Sequence, residues 1–378
     1  MKFTCERQEL MESLSVAIKA VSSSPNSPIL SGICIIAFPG DGDSTGEIEL
    51  RATNNDLYIV TKAKANVEEA GEMILSAKYL YDFCRTFRGL NVTFVEDKER
   101  NMVKLSSDDA KCDLLTMIGE FPEPKQHKAA ATFTVAANYF KKLIYEVCFA
   151  AAQENEISGK AIFTGCLMDL NDRDINLVAT NTHRLAITTG SVEGDGAKAQ
   201  TIVPSRVLAE IGRTMPDTDA TVTVDISREN VIFSFDNMMI ATSVIEGVFP
   251  DYRRVIPKEL PITATIRRSL FQQAVTRASI IAKSSNIATV VKLAFGGNAV
   301  VVSANSQAIG FAEDTIEAAI EGGELTIAFN PDYLADAMKV MNSDEVILDM
   351  AASLKPAIIR EPGNESFRCV ITPVRTKN

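Results

Sequence analysis

The chain has 378 residues and a mass of 41.0 kDa, with 46% hydrophobic and 23% charged residues. That much apolar side chain excludes disorder as the main state, and the length exceeds what one core usually fills, so two or three domains are expected. The formal charge of −11, from 38 basic and 49 acidic residues, argues on its own against nucleic-acid binding, but it says nothing about where the charges sit.

The opening Met1-Lys2-Phe3-Thr4 is charged from its second residue and has no apolar signal core, and no apolar run reaches the ~18–20 residues of a membrane span. A cytoplasmic location is expected. The cysteines (Cys5, Cys34, Cys84, Cys112, Cys148, Cys166 and Cys369) are scattered, odd in number and form no CxxC. Reduced, mostly buried thiols follow, with neither a disulfide framework nor a zinc site. Asn91-Val92-Thr93 matches a glycosylation sequon, which reads as chance without a secretory signal.

In chain order, Phe3-Thr4 leads into a helix from near Glu6, where Arg7 and Lys19 compete with Glu9 and Glu12. A strand ends in an Asn turn at Leu50-Arg51-Ala52-Thr53-Asn54. Ile74-Leu75-Ser76 runs into a helix from Ala77, with Leu80, Phe83, Cys84 and Phe87 on its buried stripe and Lys78, Arg85 and Arg88 outward. Phe133-Thr134 leads into a helix from near Asn138, with Phe140, Leu143, Ile144, Val147 and Ala151 inside and Lys141, Lys142 and Tyr145 outside. A second Asn turn follows at Leu177-Val178-Ala179-Thr180-Asn181, and Ile202-Val203-Pro204 runs into a helix from Ser205 with Leu208, Ile211 and Met215 inside and Arg206 and Arg213 outside. Ala220–Asp225 and Val231–Phe235 alternate as β-strands do. Thr263-Ala264 leads into a helix from Arg268, with Leu270, Ala274, Val275 and Ala278 inside and Gln272, Gln273, Arg277 and Lys283 outside. A third Asn turn closes Val302-Ser303-Ala304-Asn305, and Ala328-Phe329-Asn330 runs into a helix at Pro331, where Lys339 competes with Asp336.

These landmarks share one order and recur at roughly 130-residue spacing. Phe-Pro pairs at 121–122 and 249–250 and Pro373 recur with them. Three homologous domains are expected, at 1–126, 127–257 and 258–378, with boundaries in the polar, Pro-containing stretches Pro124–Lys128 and Pro257–Pro261. Each reads as two helices on antiparallel strands, an α+β class. Gly40-Asp41-Gly42 and Gly194-Asp195-Gly196 read as turns. Helix by helix, the basic faces are ordinary solvated surface. Repeated three times, they become a candidate phosphate track made of Lys78, Arg85, Lys141, Lys142, Arg206, Arg213, Arg277 and Lys339.

The histidines are His127 and His183, and there is no HExxH, GxSxG, phosphate loop or GxGxxG. Neither a cofactor nor a metal is expected. Two readings compete with a DNA track: an enzyme using His183 and Arg184, and an adaptor with no DNA role.

Ala179-Thr180-Asn181-Thr182-His183-Arg184-Leu185-Ala186 resembles a signature of the bacterial DNA sliding clamp, the beta subunit of the replicative DNA polymerase. So do Phe249-Pro250-Asp251-Tyr252-Arg253-Arg254-Val255-Ile256-Pro257, the opening Met1–Thr4 and the closing Val370–Arg375, and the likeness covers the whole chain. The resemblance implies a non-catalytic processivity factor of three DNA-clamp domains. Two copies would form a head-to-tail ring around duplex DNA, holding it without reading sequence. By matching position it implies seam residues Cys112 and Leu114 on one side and Ile280 and Ile281 on the other, for which core packing is the plain alternative. It also implies a pocket for short Leu/Phe-bearing peptides of the polymerase and of the clamp loader, which would itself use the ATP. The pocket set is Phe163, Thr180, Thr182, His183, Arg184, Leu185, Pro250, Arg254, Val255, Leu354, Pro356, Val370, Ile371, Thr372, Pro373, Val374 and Arg375. Thr182 stands where the resembled pattern has Gly, so a narrower pocket is expected, and Thr376-Lys377-Asn378 extends toward its rim. The loop Ser22-Ser23-Ser24-Pro25 lacks a basic residue known in the family.

Overall fold

A computed structural model describes the chain except residues 23–26, 42–44, 109, 124–127, 154, 156–159, 195, 285–288 and 377–378. Parts of the Ser22–Pro25 loop, the Pro124–Lys128 boundary, both Gly-Asp-Gly segments, His127 and the C-terminal Lys377-Asn378 therefore lie outside the described residues.

Among the described residues, six α-helices stand where the sequence places them: α1 Arg7–Ala17, α2 Ala77–Thr86, α3 Ala137–Cys148, α4 Ser205–Thr214, α5 Arg268–Lys283 and α6 Pro331–Lys339. Five of them start directly off a strand end; only α6 has an intervening cap. There the Asn330 side chain accepts a bond from the Asp332 N–H at 2.9 Å and Pro331 takes the first turn, where its missing N–H costs nothing.

Two details of the stripes differ from expectation. Phe83 is 38% exposed, because Leu80, Cys84 and Phe87 already fill the narrow buried face of α2. Leu270 is 42% exposed, and Phe271 is the fully buried anchor of α5. The third copy is thus one residue later than the sequence pairing. Ala264, not Thr263, is the inward strand residue equivalent to Phe3 and Phe133, each four residues before its helix starts. On a pleated strand one step exchanges the faces, and Ala in place of Phe removed the marker that fixes register.

The chain divides into two compact units, Met1–Asn138 with Thr214–Val244, and Tyr139–Arg213 with Ile245–Asn378. In the first, antiparallel strands run in the order Ala131–Ala136, Thr221–Ile226, Asn230–Phe235, Met238–Ser243, Leu57–Glu69, Lys2–Glu6, Asn91–Asp97, Met102–Ser107 and Ala110–Leu115. Gly46–Thr53, Gly32–Phe38 and Gly71–Ser76 branch from Leu57–Glu69. In the second, the order is Lys198–Pro204, Gly165–Asn171, Asp174–Thr180, Arg184–Ser191, Phe367–Ile371, Ala357–Arg360, Glu345–Met350, Ile262–Arg267, Gly310–Glu321, Ala299–Ser306, Val291–Gly296 and Leu325–Phe329. The units do not follow the repeat boundaries, because sheets run on from one repeat into the next. Met238–Ser243 pairs with the first half of Leu57–Glu69, and Phe367–Ile371 pairs with Arg184–Thr188.

Candidate functional site

The second Asn turn organises the site. The Thr180 hydroxyl donates to the Arg184 carbonyl at 2.6 Å and accepts the Thr182 N–H at 3.1 Å. Asn181 Oδ1 accepts the N–H groups of His183 and Arg184 at 3.1 and 3.0 Å. Short polar side chains here replace backbone partners, the usual reason for Asn and Thr in turns. Closing the turn puts Thr182 at φ +74°, a left-handed conformation that crowds a β-branched side chain. From the C-terminal side, Thr372 donates both its N–H (2.9 Å) and its hydroxyl (2.8 Å) to the His183 carbonyl, and the Val374 N–H bonds to Ala328 O.

Arg184 lies inside the unit. It is 9% exposed, its guanidinium sits 4.7 Å from the Tyr333 ring centre and 5.3 Å from that of Phe149, and it donates to Phe149 O at 2.5 Å and to Asp336 Oδ2 at 2.7 Å. Asp336 Oδ1 takes a second cation, Lys339 Nζ, at 2.8 Å. Burial pushes the Asp336 carboxyl up, but the bonds from Arg184 and Lys339 outweigh it and hold it below the usual carboxylate value. The His183 ring stacks on Tyr333 at 6.5 Å.

Of the other predicted pocket residues, Leu185, Val370 and Ile371 lie on the same sheet. Leu185 and Val370 face each other across paired strands and share a core cluster with Tyr252, Ile187 and Ile358, flanked by Phe249 and Ile256. Ile371 is buried between Arg184 and Ala357, and Pro356 leads into the Ala357–Arg360 strand. Phe163 is buried edge-on to Phe249 at 6.4 Å. At the surface, Val255 is 45% and Leu354 56% exposed, large apolar side chains left uncovered in this unit. Pro250, His183, Thr182 and Arg375 are exposed, while Thr372, Pro373 and Val374 are half-buried. Exposed Arg254 pairs with neighbouring Asp251 at 3.0 Å.

Sequence reasoning missed what holds the Phe249–Pro257 segment. Tyr252 is 3% exposed and its hydroxyl donates to Asp169 at 2.8 Å; Arg253 Nη2 and Gln200 Nε2 donate to the same carboxylate at 2.7 and 2.9 Å. Burial raises the Asp169 carboxyl, yet these three donors bring it below the ordinary value. Asp169 lies 83 residues before Tyr252, so no local pattern shows the link.

Of the eight candidate track residues, Lys141 is half-buried and the others are exposed. Arg85–Asp82, Lys142–Glu146, Arg213–Glu210, Arg277–Asp314 and Lys339–Asp336 are ion pairs at 3.6, 3.7, 2.7, 2.9 and 2.8 Å. Four of these pairs reach solvent on both sides, where ion pairing is weak and a phosphate can compete with the acid, whereas Glu146 is buried. Lys78, Lys141 and Arg206 have no ion pair among the described residues.

Cys112 and Leu114 stand half-buried on Ala110–Leu115, which ends its sheet and pairs with Met102–Ser107 alone among the described strands. Ile280 is 66% exposed and Ile281 half-buried on α5, which packs on the Gly310–Glu321 strand. Residues 310–317 of that strand pair only with Ala299–Ser306 among the described residues. Sequence reasoning passed over Leu115 and Phe311, 70% and 61% exposed on these two open edges.

Family models for the N-terminal, central and C-terminal domains of the DNA polymerase III beta subunit match residues 1–123, 134–251 and 253–375 in turn. The beta sliding clamp of Bacillus subtilis is 28% identical over 386 residues, covering all of both chains. The crystal structure of the Bacillus subtilis DNA polymerase sliding clamp superimposes with a TM-score of 0.91 at 26% identity over all of both chains. A Pseudomonas aeruginosa sliding clamp bound to griselimycin shares the fold, with a TM-score of 0.92 at 23% identity over all of both chains. Three domains of one family in their proper order, along the full length, leave a single assignment: the chain belongs to the DNA polymerase III beta subunit family of sliding clamps, which are processivity factors and not enzymes.

Proposed function

We propose that two copies of the chain close head to tail into a ring that encircles duplex DNA and tethers the replicative polymerase, with repeat boundaries at 1–126, 127–257 and 258–378. One observation supports the closure most strongly. The strands Leu57–Glu69, Arg184–Ser191 and Gly310–Glu321 are equivalent, and the first two have their leading halves covered by the last strand of the following repeat. Residues 310–317 lack that cover among the described residues, and Ala110–Leu115 is a last strand with one free edge. A second copy's Ala110–Leu115 completes the pattern, with Cys112, Leu114, Ile280 and Ile281 at the seam. A head-to-tail contact closes a ring when its rotation divides the circle, and this one pairs edges that would otherwise invite aggregation.

The basic residues of the helices line the hole and touch phosphates, which keeps binding independent of sequence and sensitive to salt. The pocket around Thr182, Val255, Leu354 and Val374 takes Leu/Phe peptides of the polymerase and of the loader. Each apolar anchor contributes about 1.5–3 kcal/mol, so two or three anchors, less ordering costs, give affinities of micromolar order and allow exchange. The protein works in the cytoplasm, where replication takes place. Sedimentation tests the ring: the expected species has twice the 41.0 kDa chain mass, and Leu114→Arg with Ile280→Arg yields monomer. A wild-type monomer at micromolar concentration contradicts the reading.

A further inference from the structure

Asp336 is shared between two functions. Its Oδ2 holds Arg184, the first residue after the Thr182 turn, at 2.7 Å; its Oδ1 holds Lys339, a candidate track residue, at 2.8 Å. On the Arg184 side everything is closed in: the guanidinium is 9% exposed, sandwiched by Phe149 and Tyr333, and its Nε has no partner among the described residues. On the Lys339 side everything is open, since the ammonium-bearing side chain is 59% exposed. Arg184 is therefore the enclosed partner of Asp336, and Lys339 is the exposed one.

We infer that Asp336 is a positioning residue of the peptide pocket, acting through Arg184, and that its grip on the turn depends on whether Lys339 is engaged elsewhere. A phosphate that draws Lys339 away leaves the whole carboxylate charge to Arg184. The Arg184 backbone is also where the turn is tied: its N–H bonds to Asn181 Oδ1 and its carbonyl accepts the Thr180 hydroxyl. A firmer Arg184 thus holds Thr182 and His183 in one arrangement, and a pocket ordered in advance spends less of its binding energy on ordering. DNA in the hole and peptide in the pocket then favour each other, and the coupling is reciprocal. Glu146 repeats the device on α3: it is 2% exposed, accepts the Thr188 hydroxyl at 2.6 Å on the strand that begins with Arg184, and lies 3.7 Å from exposed Lys142.

This inference rests on the pocket and track assigned above, and the test separates the two. A fluorescent peptide ending in Leu-Phe is titrated into the full-length wild type, Lys339→Gln, Lys339→Arg and Lys292→Gln by anisotropy, with and without a short duplex. Lys339→Gln is expected to bind the peptide about threefold more tightly than wild type, Lys339→Arg to restore the wild-type value, and Lys292→Gln, which loses the same charge at an exposed position outside the pocket and the track, to match wild type. Duplex is expected to tighten wild-type binding and to leave Lys339→Gln unmoved. Equal affinity of Lys339→Gln and wild type, or an equal shift in Lys292→Gln, overturns the role of Asp336 while the pocket stands. No peptide binding by wild type overturns both. Asp336→Asn adds a second reading: weakened peptide binding with an unchanged two-chain mass is expected, and unchanged peptide binding contradicts the inference.

Discussion

Two copies of one turn show where this fold is scaffold and where it is device. Thr53-Asn54-Asn55-Asp56-Leu57 and Thr180-Asn181-Thr182-His183-Arg184 share the same bonds: a Thr hydroxyl donating to the carbonyl four residues on, at 2.9 and 2.6 Å, and an Asn Oδ1 accepting the two N–H groups beyond it. Both place their third residue at positive φ, +77° for Asn55 and +74° for Thr182. The first copy uses Asn, which tolerates that conformation, and ends on Leu57, a buried apolar side chain. The second uses Thr, which does not, and ends on Arg184, a buried cation tied to Asp336. The hydrogen bonds make the turn in both; the second copy departs from the scaffold only at Thr182, His183 and Arg184, which belong to the proposed pocket.

The comparison can be broken at four points, in descending order of effect. Arg184→Ala removes a buried cation and is expected to cost about 2–3 kcal/mol in urea denaturation, less than a fully isolated buried pair because Asp336 keeps Lys339. Thr53→Val and Thr180→Val each delete the hydroxyl that ties the turn, and each is expected to cost about 1 kcal/mol; unequal costs would show that the copies are not equivalent scaffolds. Thr182→Gly exchanges a strained β-branched residue for one at home in the left-handed region, and a gain of about 0.5–1 kcal/mol is expected, while Asn55→Gly stays near neutral. The smallest effect is on pH dependence. The Asp336 carboxyl is lowered on folding, so its contribution is present above its unfolded value of 3.8 and is lost as pH falls through the lower folded value. Asp336→Asn is therefore expected to flatten stability below pH 3.8, whereas wild type steepens there.

Much of this was legible in the sequence, for identifiable reasons. Helix starts at Ala77, Ser205 and Pro331 follow from short apolar strands running into helical periodicity, and the structure places them at those residues. The Thr-Asn turns are local hydrogen-bonding units and show themselves in five letters. The third repeat was misread by one step because Ala264 replaced the Phe that marks the inward face, and Phe271 was overlooked beside Leu270. The pairings that make the site were invisible: Arg184 meets Asp336 across 152 positions and Tyr252 meets Asp169 across 83, distances over which only the folded sheet specifies neighbours.

Encirclement is tested most directly by following labelled protein, placed on nicked circular DNA by a clamp loader, through gel filtration before and after a single restriction cut. Co-elution with the intact circle at moderate salt, and release once the DNA has ends, is the predicted result. Equal retention on circle and linear form would mean that the protein grips DNA instead of threading it, and would contradict the ring.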